Sequence, residues 1–155
     1  MTFTLFIYLL AIACWLGGMV FFSLFTAPVI FRLLPRAEAG TVVAGLFPRY
    51  YLLGYIAGAI ALVLACYFGL VRTGRFWWGL VALALAISLG LTVYAGTVVR
   101  SRIEAIHIVA GEPNPDTARK AEFDRLHRLS VTLNGAVIVL NLLALLSSAA
   151  ALSHS

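Results

Sequence analysis

The sequence predicts an all-α integral membrane protein, a bundle of four transmembrane helices forming a single membrane domain over residues 1–155. Of the 155 residues, 63% are hydrophobic and only 11% are charged, whereas globular proteins average about half apolar and a quarter charged residues. Four uncharged runs are each long enough to cross a hydrocarbon core of about 30 Å. Because these runs use most of the chain, the sequence excludes a large extramembrane enzyme domain.

The four predicted spans are separated by short segments that hold all of the Asp, Glu, Lys and Arg residues. The first run lacks the Lys or Arg of a signal-peptide n-region and stays uncharged as far as Phe31, which is longer than a typical signal-peptide apolar region. We therefore expect it to be a retained helix. The predicted spans are about residues 3–31, 51–71, 76–99 and 129–152.

The distribution of basic residues predicts the orientation. With four spans, the first and third connecting segments share one side of the membrane. Nine Lys and Arg lie there: Arg32, Arg36, Arg49, Arg100, Arg102, Arg119, Lys120, Arg125 and Arg128. The second segment has two, Arg72 and Arg75. Because basic loops stay inside, we expect a protein of the inner cell membrane with these two segments in the cytoplasm and both termini outside. Basic residues in such loops do not indicate nucleic-acid binding.

The first connecting segment is predicted to contain a short amphipathic helix. Pro35 suits a helix start and Pro48 a helix end. The apolar residues between the two prolines share one helical face; they are Ala39, Val42, Val43, Leu46 and Phe47. We expect this helix to lie at the cytoplasmic membrane surface.

The third connecting segment is predicted to form a helical hairpin that projects into the cytoplasm. Helix three should extend to about Ala110 and break at Gly111, Pro113 and Pro115. Asn114 suits the N-cap position from which an extension of helix four would begin.

Small residues recur along single faces of helices two and three. Because lipid removes the hydrophobic drive for helix association, helices in a bilayer pack closely through small residues. In helix three, Gly79, Ala82, Ala86 and Gly90 share such a face. The glycines that we expect at helix contacts are Gly17, Gly18, Gly54, Gly58 and Gly90. The alternative is that some of them form the seam of a homo-oligomer.

A polar stripe on helix four is the main candidate for chemistry. Polar side chains in hydrocarbon need partners, so this stripe should face the bundle or a wet cavity. Its members fall within about 60° on one helical face; they are Phe123, His127, Ser130, Asn134 and Asn141. One interpretation is a polar pocket that opens toward the cytoplasm, with His127 at its mouth as a ligand or proton-exchanging group. The other is that these groups only bond neighbouring helices.

Catalytic and metal-binding signals are weak. No Asp, Glu, Lys or Arg lies inside a predicted span, and no GxSxG, HExxH or P-loop pattern occurs, so we expect no enzymatic activity. His107 and His127 could approach each other across the hairpin, but two imidazoles without a carboxylate or thiolate make a weak metal site. Cys14 and Cys66 lie in different runs and indicate neither a disulfide nor a zinc site.

Three motifs together resemble the transmembrane protein 205-like family. They are WLGGMVFFSLFTAPVIFRLLP in helix one, AG followed by GLFPRYY in the first connecting segment, and FDRLHRLSVTLN at the head of helix four. The WLGG opening is also similar to the wider copper-resistance protein D superfamily. The motif residues singled out by the resemblance are Pro28, Phe47, Pro48, Tyr50, Tyr51, Phe123, His127, Ser130 and Asn134.

The resemblance implies a small four-helix membrane protein whose biochemical role is mostly unassigned. Copper-resistance relatives imply metal handling, and membrane protoporphyrinogen oxidases of similar size imply haem. The sequence departs from both, because helix one has no His, the only methionines are Met1 and Met19, and no His pair lies within a span. We therefore expect no cofactor, with copper or haem as alternatives.

Three functional hypotheses follow. The first is handling of a small solute or metal, or resistance to it, through the polar face of helix four. The second is a membrane scaffold or interaction protein without a ligand. The third is a haem-binding or redox membrane protein. The expected partners are the lipid bilayer, an unidentified small ligand and, in the scaffold hypothesis, further copies of the chain.

Overall fold

The computed structural model describes the backbone of residues 1–109 and 117–153, and the side chains of these residues except 107–109. Over this part, the chain is all-helical. Four long helices are present: α1, Thr2–Leu33; α2, Arg36–Val71; α3, comprising Arg75–Tyr94, Ala95–Val99 and Arg100–Val109; and α4, Thr117–Ser153. All four are long and apolar enough to cross a membrane. The predicted all-α class and the four apolar helices of a multi-pass membrane protein are confirmed.

The helices are longer than the predicted spans. α2 has 36 residues and α4 has 37, which is about 55 Å at 1.5 Å per residue, against a hydrocarbon core of about 30 Å. The additional turns lie at the end of the bundle where α1 and α3 finish and α2 and α4 begin. We call this the basic end, because most Lys and Arg lie there, and the opposite end the terminal end.

The start of α2 differs from the prediction. Instead of a separate interfacial helix that stops at Pro48, Arg36–Val71 is one continuous helix with Pro48 inside it. A proline removes one backbone hydrogen bond, which membrane helices tolerate where surrounding packing compensates. Ala39, Val43 and Tyr51 are buried on either side of the proline. This continuous buried face stabilises the helix across Pro48.

At the third connecting segment, Arg100–Val109 continues α3 and packs against α4. Arg100 and Glu104 lie one helical turn apart on this extension and form an ion pair, with 2.6 Å between Arg100 Nε and Glu104 Oε1. The predicted break and cap, at Gly111, Pro113, Asn114 and Pro115, lie outside the described residues.

Two π-helical segments interrupt the helices, Phe22–Thr26 in α1 and Ala95–Val99 in α3. The first comes just before Pro28, whose ring would crowd the carbonyl four residues earlier in a regular α-helix. The wider π turn relieves that crowding. The Thr26 hydroxyl donates to the carbonyl oxygen of Phe21 at 3.4 Å, which fits the wider turn.

An aromatic core closes the terminal end. The rings of Tyr8, Phe68 and Trp78 are fully buried, with centroids 4.8 to 5.8 Å apart. The Tyr8 hydroxyl lies 2.5 Å from Ser148 Oγ and joins α1 to α4. Since Phe68 belongs to α2 and Trp78 to α3, all four helices meet here. We call Tyr8, Phe68, Trp78 and Ser148 the terminal cluster.

The outer surface is apolar along all four helices. Leu24, Val63, Leu83 and Leu146 are each more than half exposed. A soluble monomer rarely exposes so much contiguous apolar surface, whereas lipid chains solvate it well. This surface fits a helical bundle surrounded by lipid.

Candidate functional site

Polar side chains join α1, α2 and α4 in the half of the bundle nearer the basic end. The Tyr50 hydroxyl donates to Asn134 Oδ1, and Asn134 Nδ2 donates to Ser23 Oγ at 2.9 Å. Tyr51 and Ser130 lie beside this link, and their side chains interact with each other. We call Ser23, Tyr50, Tyr51, Ser130 and Asn134 the polar cluster.

Helix geometry explains how these groups meet. Ser130 and Asn134 are four residues apart on α4, so they lie one above the other on the same face. Tyr50 and Tyr51 are adjacent on α2, so their side chains diverge by about 100° and each reaches a different turn of α4. Ser23 lies in the π segment of α1. The polar cluster therefore holds three helices together at one level.

Aromatic rings surround the polar cluster. The Phe22 ring lies 4.9 Å from that of Tyr50, and the Phe47 ring lies 5.9 Å from that of Tyr51. The two tyrosine rings are 5.2 Å apart and nearly perpendicular. The cluster is thus an amphipathic site, in which hydroxyl and amide groups are held between aromatic faces.

A small cavity of about 20 Å³ lies next to the polar cluster and between all four helices. A volume of this size holds about one water molecule. Trp15, Thr92 and four members of the polar cluster (Tyr50, Tyr51, Ser130 and Asn134) are among the residues that line it. Trp15 is 2% exposed, and its indole Nε1–H has no hydrogen-bond partner among the described residues. The cavity wall therefore contains a free donor beside groups that both donate and accept.

The aromatic rings around the cavity pack directly against two glycines, which have no side chain to block them. A Cβ atom at Gly58 would lie 2.9 Å from two atoms of the Trp15 ring. At Gly96, in the π segment of α3, a Cβ atom would lie 2.7 and 2.8 Å from the Tyr51 ring and against the Tyr55 hydroxyl. Real Cβ atoms essentially never approach other atoms within 3.0 Å, so a larger residue would displace these rings.

The glycines expected at helix contacts divide into two groups. A Cβ atom at Gly54 would lie 3.1 Å from Trp15 Nε1, and one at Gly18 would lie 2.9 Å from a Leu53 methyl group. In contrast, Gly17 and Gly90 are exposed, and a Cβ atom there would meet nothing within 4 Å. The small-residue face predicted for helix three therefore points mainly outward, because other residues form the inner face: Trp78, Val81, Leu85, Ser88 and Thr92.

The structure brings only part of the predicted polar stripe together. Ser130 and Asn134 line the cavity, but His127 is exposed, with its ring stacked on Phe123 at 6.1 Å. Beyond the π segment, α1 packs mainly against α2, so this end of α4 is less covered on that side. Asn141 is fully buried elsewhere on α4, where its Nδ2 donates to the Val137 carbonyl at 2.9 Å.

The predicted metal pair is only partly visible, because the His107 side chain lies outside the described residues. In residues 1–106 and 117–153, no group of three or more His, Cys, Asp and Glu side chains is placed to hold a metal ion. Cys14 and Cys66 are exposed and unpaired.

Two site residues, Trp15 and Ser23, were not among the predicted site residues, although both lie in the helix-one motif. The spacing of Trp15, Met19 and Ser23 by four residues each places them along one side of α1, and this was the available signal. The role of Gly96 was not predictable from the sequence, because no residue pattern indicates that a π segment surrounds it.

Comparison with known proteins gives a family. The family described as "Domain of unknown function (DUF4149)" matches residues 10–112, which include Ser23, Tyr50 and Tyr51 but end before α4. A protein of Aquifex aeolicus (strain VF5), described as "Uncharacterized protein", is 47% identical over 49 residues, which are 32% of this chain and 37% of that relative. The matched part of the chain thus spans well under half of that curated relative. No solved structure matches.

Proposed function

The chain belongs to the DUF4149 family, and we propose that it is a non-enzymatic inner-membrane protein that carries a small uncharged solute by way of the polar cluster. The observation that carries this proposal is the hydrogen-bonded link from Tyr50 through Asn134 to Ser23, which joins three helices beside a cavity. Within the family, the motif residues Pro28, Pro48 and Tyr51 favour the transmembrane protein 205-like type.

The chemistry of the cavity wall favours an uncharged ligand. Its hydroxyl and amide groups both donate and accept hydrogen bonds, and the Trp15 indole adds a donor. In the part of the chain that the structure describes, no charged side chain lines the cavity. An ion would lose its hydration there without a counter-charge, whereas an uncharged solute with donors and acceptors would exchange its bonds to water for bonds to the wall.

The same wall is a poor site for copper or haem. Copper proteins use thiolate, thioether and imidazole ligands, and of the described residues that line this cavity only Met19 carries such a group. Of the two ligands in the first hypothesis, we therefore favour a small solute over a metal, and we propose that no cofactor is bound.

A solute larger than one water molecule requires the helices around the cavity to separate. Ser23 lies in one π segment, and Gly96, in the other, is packed on Tyr51. Such segments often occur at functional sites and locally break the regular helical hydrogen bonding. We propose that α1 and α3 bend at these segments to admit the solute, from the cytoplasm if the basic residues orient the chain as predicted.

Purified protein reconstituted into lipid vesicles provides the test, with urea and glycerol as uncharged probes and stopped-flow light scattering as the measurement. Wild-type vesicles should re-swell faster than protein-free vesicles with at least one probe. Asn134→Leu removes the bonds to Tyr50 and Ser23 at similar volume and should abolish this difference. The control Ser148→Ala removes the bond to Tyr8 in the terminal cluster and should re-swell like wild type.

Other outcomes would favour the alternatives. Equal re-swelling of wild-type and protein-free vesicles with both probes would contradict solute transport. The scaffold hypothesis predicts that result together with defined oligomers on cross-linking in native membranes. A Soret absorption band in the purified protein would favour the haem hypothesis.

A further inference from the structure

A second concave region lies between α3 and α4 at the basic end, on residues separate from those of the small cavity. This groove has a volume of about 400 Å³, within the range of small-molecule sites. α3 contributes Tyr94, Val98 and Arg102 to its lining, and α4 contributes Arg125 and Leu129.

The lining changes from apolar to charged along the groove. Tyr94 and Arg102 are eight residues apart on α3, which is about 12 Å along the helix axis. Leu129 and Arg125 are one turn apart on α4, again with the charged residue nearer the basic end. The groove therefore crosses the zone in which lipid hydrocarbon gives way to headgroups, where tyrosine is also enriched in membrane proteins.

The charges of the groove favour an anion. Arg102 and Arg125 are both exposed, and neither forms an ion pair with a carboxylate in the described part of the chain. Among the described residues of the lining, Glu122 is the acidic one, so two cations and one anion give this part of the groove a net charge of +1. Guanidinium groups match the geometry of phosphate oxygens and can bind them in a bidentate manner.

We propose that this groove binds the phosphodiester headgroup of an anionic phospholipid. Arg102 and Arg125 hold the phosphate, while Tyr94, Val98 and Leu129 pack along the first carbons of the acyl chains. The net charge of +1 matches a singly charged lipid, and Glu122 accepts a hydrogen bond from a headgroup hydroxyl, as phosphatidylglycerol offers. Basic pockets between transmembrane helices are a known way of binding such lipids. The proposal does not depend on solute transport.

Native mass spectrometry of the detergent-purified protein tests this, with dioleoyl phosphatidylglycerol and dioleoyl phosphatidylcholine as probes that share their acyl chains. Wild type should retain one phosphatidylglycerol molecule at a lower lipid concentration than it needs for phosphatidylcholine. The double variant Arg102→Gln/Arg125→Gln should raise the concentration for half occupancy by phosphatidylglycerol about thirtyfold.

Two further variants separate a site from a general charge effect. Arg36→Gln/Arg128→Gln removes the same charge from the same end at exposed positions outside the groove, and should bind phosphatidylglycerol like wild type. Val98→Trp fills the groove but keeps both arginines, and should weaken binding, so the test does not depend on the folding of the first double variant.

Several results would overturn the proposal. They are equal retention of the two lipids by wild type, equal loss of binding in the two double variants, and wild-type binding by Val98→Trp. Displacement of the lipid by millimolar inorganic phosphate would also overturn it, because the groove would then bind phosphate without selecting a lipid.

Discussion

The two halves of the bundle both join helices through tyrosine hydroxyls and aromatic rings, but they do so in different surroundings. In the terminal cluster, Tyr8 is fully buried and bonds Ser148, and the helices around it are regular. In the polar cluster, Tyr50 and Asn134 are only half-buried, and π segments interrupt two of the helices nearby. The terminal cluster closes the bundle, whereas the polar cluster borders a cavity.

This difference suggests that stability and function are concentrated in different halves. A hydrogen bond between membrane helices contributes only about 0.6 kcal/mol on average. The hydrogen bonds of the polar cluster therefore add little to the stability of the bundle near the π segments. Burial of three large rings in the terminal cluster contributes more through packing. We therefore expect substitutions in the terminal cluster to reduce stability, and those in the polar cluster to reduce transport more than stability.

The largest expected effect is that of Phe68→Ala in the terminal cluster. The Phe68 ring is fully buried against Tyr8 and Trp78, and truncation of such a ring costs about 3 to 5 kcal/mol. The matched change Phe47→Ala, at a half-buried ring beside Tyr51, should cost less. Thermal unfolding in detergent, followed by size-exclusion chromatography, measures both. If Phe47→Ala lowered the melting temperature as much as Phe68→Ala, the two halves would not differ in stability.

The next largest effect should come from Gly96→Ala. The new Cβ atom would press on the Tyr51 ring, including the ring atom bonded to its Cβ, which cannot swing away. Overpacking of this kind costs about 1 to 3 kcal/mol. In the same melting assay, Gly90→Ala is the control on the same helix, because its Cβ atom meets nothing within 4 Å. A control that melted as early as Gly96→Ala would show that α3 tolerates no added methyl group, whatever its surroundings.

A small effect is expected outside the two clusters, at the ion pair of Arg100 and Glu104. Both side chains are partly exposed, and pairs of this spacing contribute about 0.3 to 0.5 kcal/mol. Glu104→Gln should therefore melt close to wild type and respond little to added salt. A loss as large as that of Gly96→Ala would mean that the α3 extension contributes much more to stability than its exposed ion pair indicates.

Composition was enough to predict the all-α class and the four apolar helices, because lipid leaves few solutions for backbone hydrogen bonding. The ends of the helices were not predictable in the same way. The charged residues after Arg36 and Arg100 were predicted to be helical but to lie outside the spans, since residues such as Arg, Glu and Ala form helices well. What the sequence did not predict is that the helix after Arg36 continues directly into the second span. Pro48 was read as a helix end because a proline removes a backbone hydrogen bond, but it lies inside α2.

The candidate site was partly predictable. Ser130 and Asn134 belonged to the predicted stripe because polar groups in an apolar run need partners. Their partners on other helices, Tyr50 and Ser23, depend on how the helices pack, and the spacing of residues within one helix cannot show this. The two π segments were missed because an inserted residue changes the register of a helix without changing its composition. His127 lies on the same face of α4 as Asn134, but α1 covers that part of α4 less, so His127 is exposed.

The most direct test of the central claim compares Tyr50→Phe with Tyr8→Phe in the vesicle assay with urea and glycerol. Each change removes one hydroxyl group that bonds a side chain on α4, so each should reduce stability by a similar amount of about 0.6 kcal/mol. We predict that Tyr50→Phe vesicles re-swell no faster than protein-free vesicles, whereas Tyr8→Phe vesicles re-swell like wild type. Equal re-swelling rates for the two folded variants would contradict a transport role for the polar cluster.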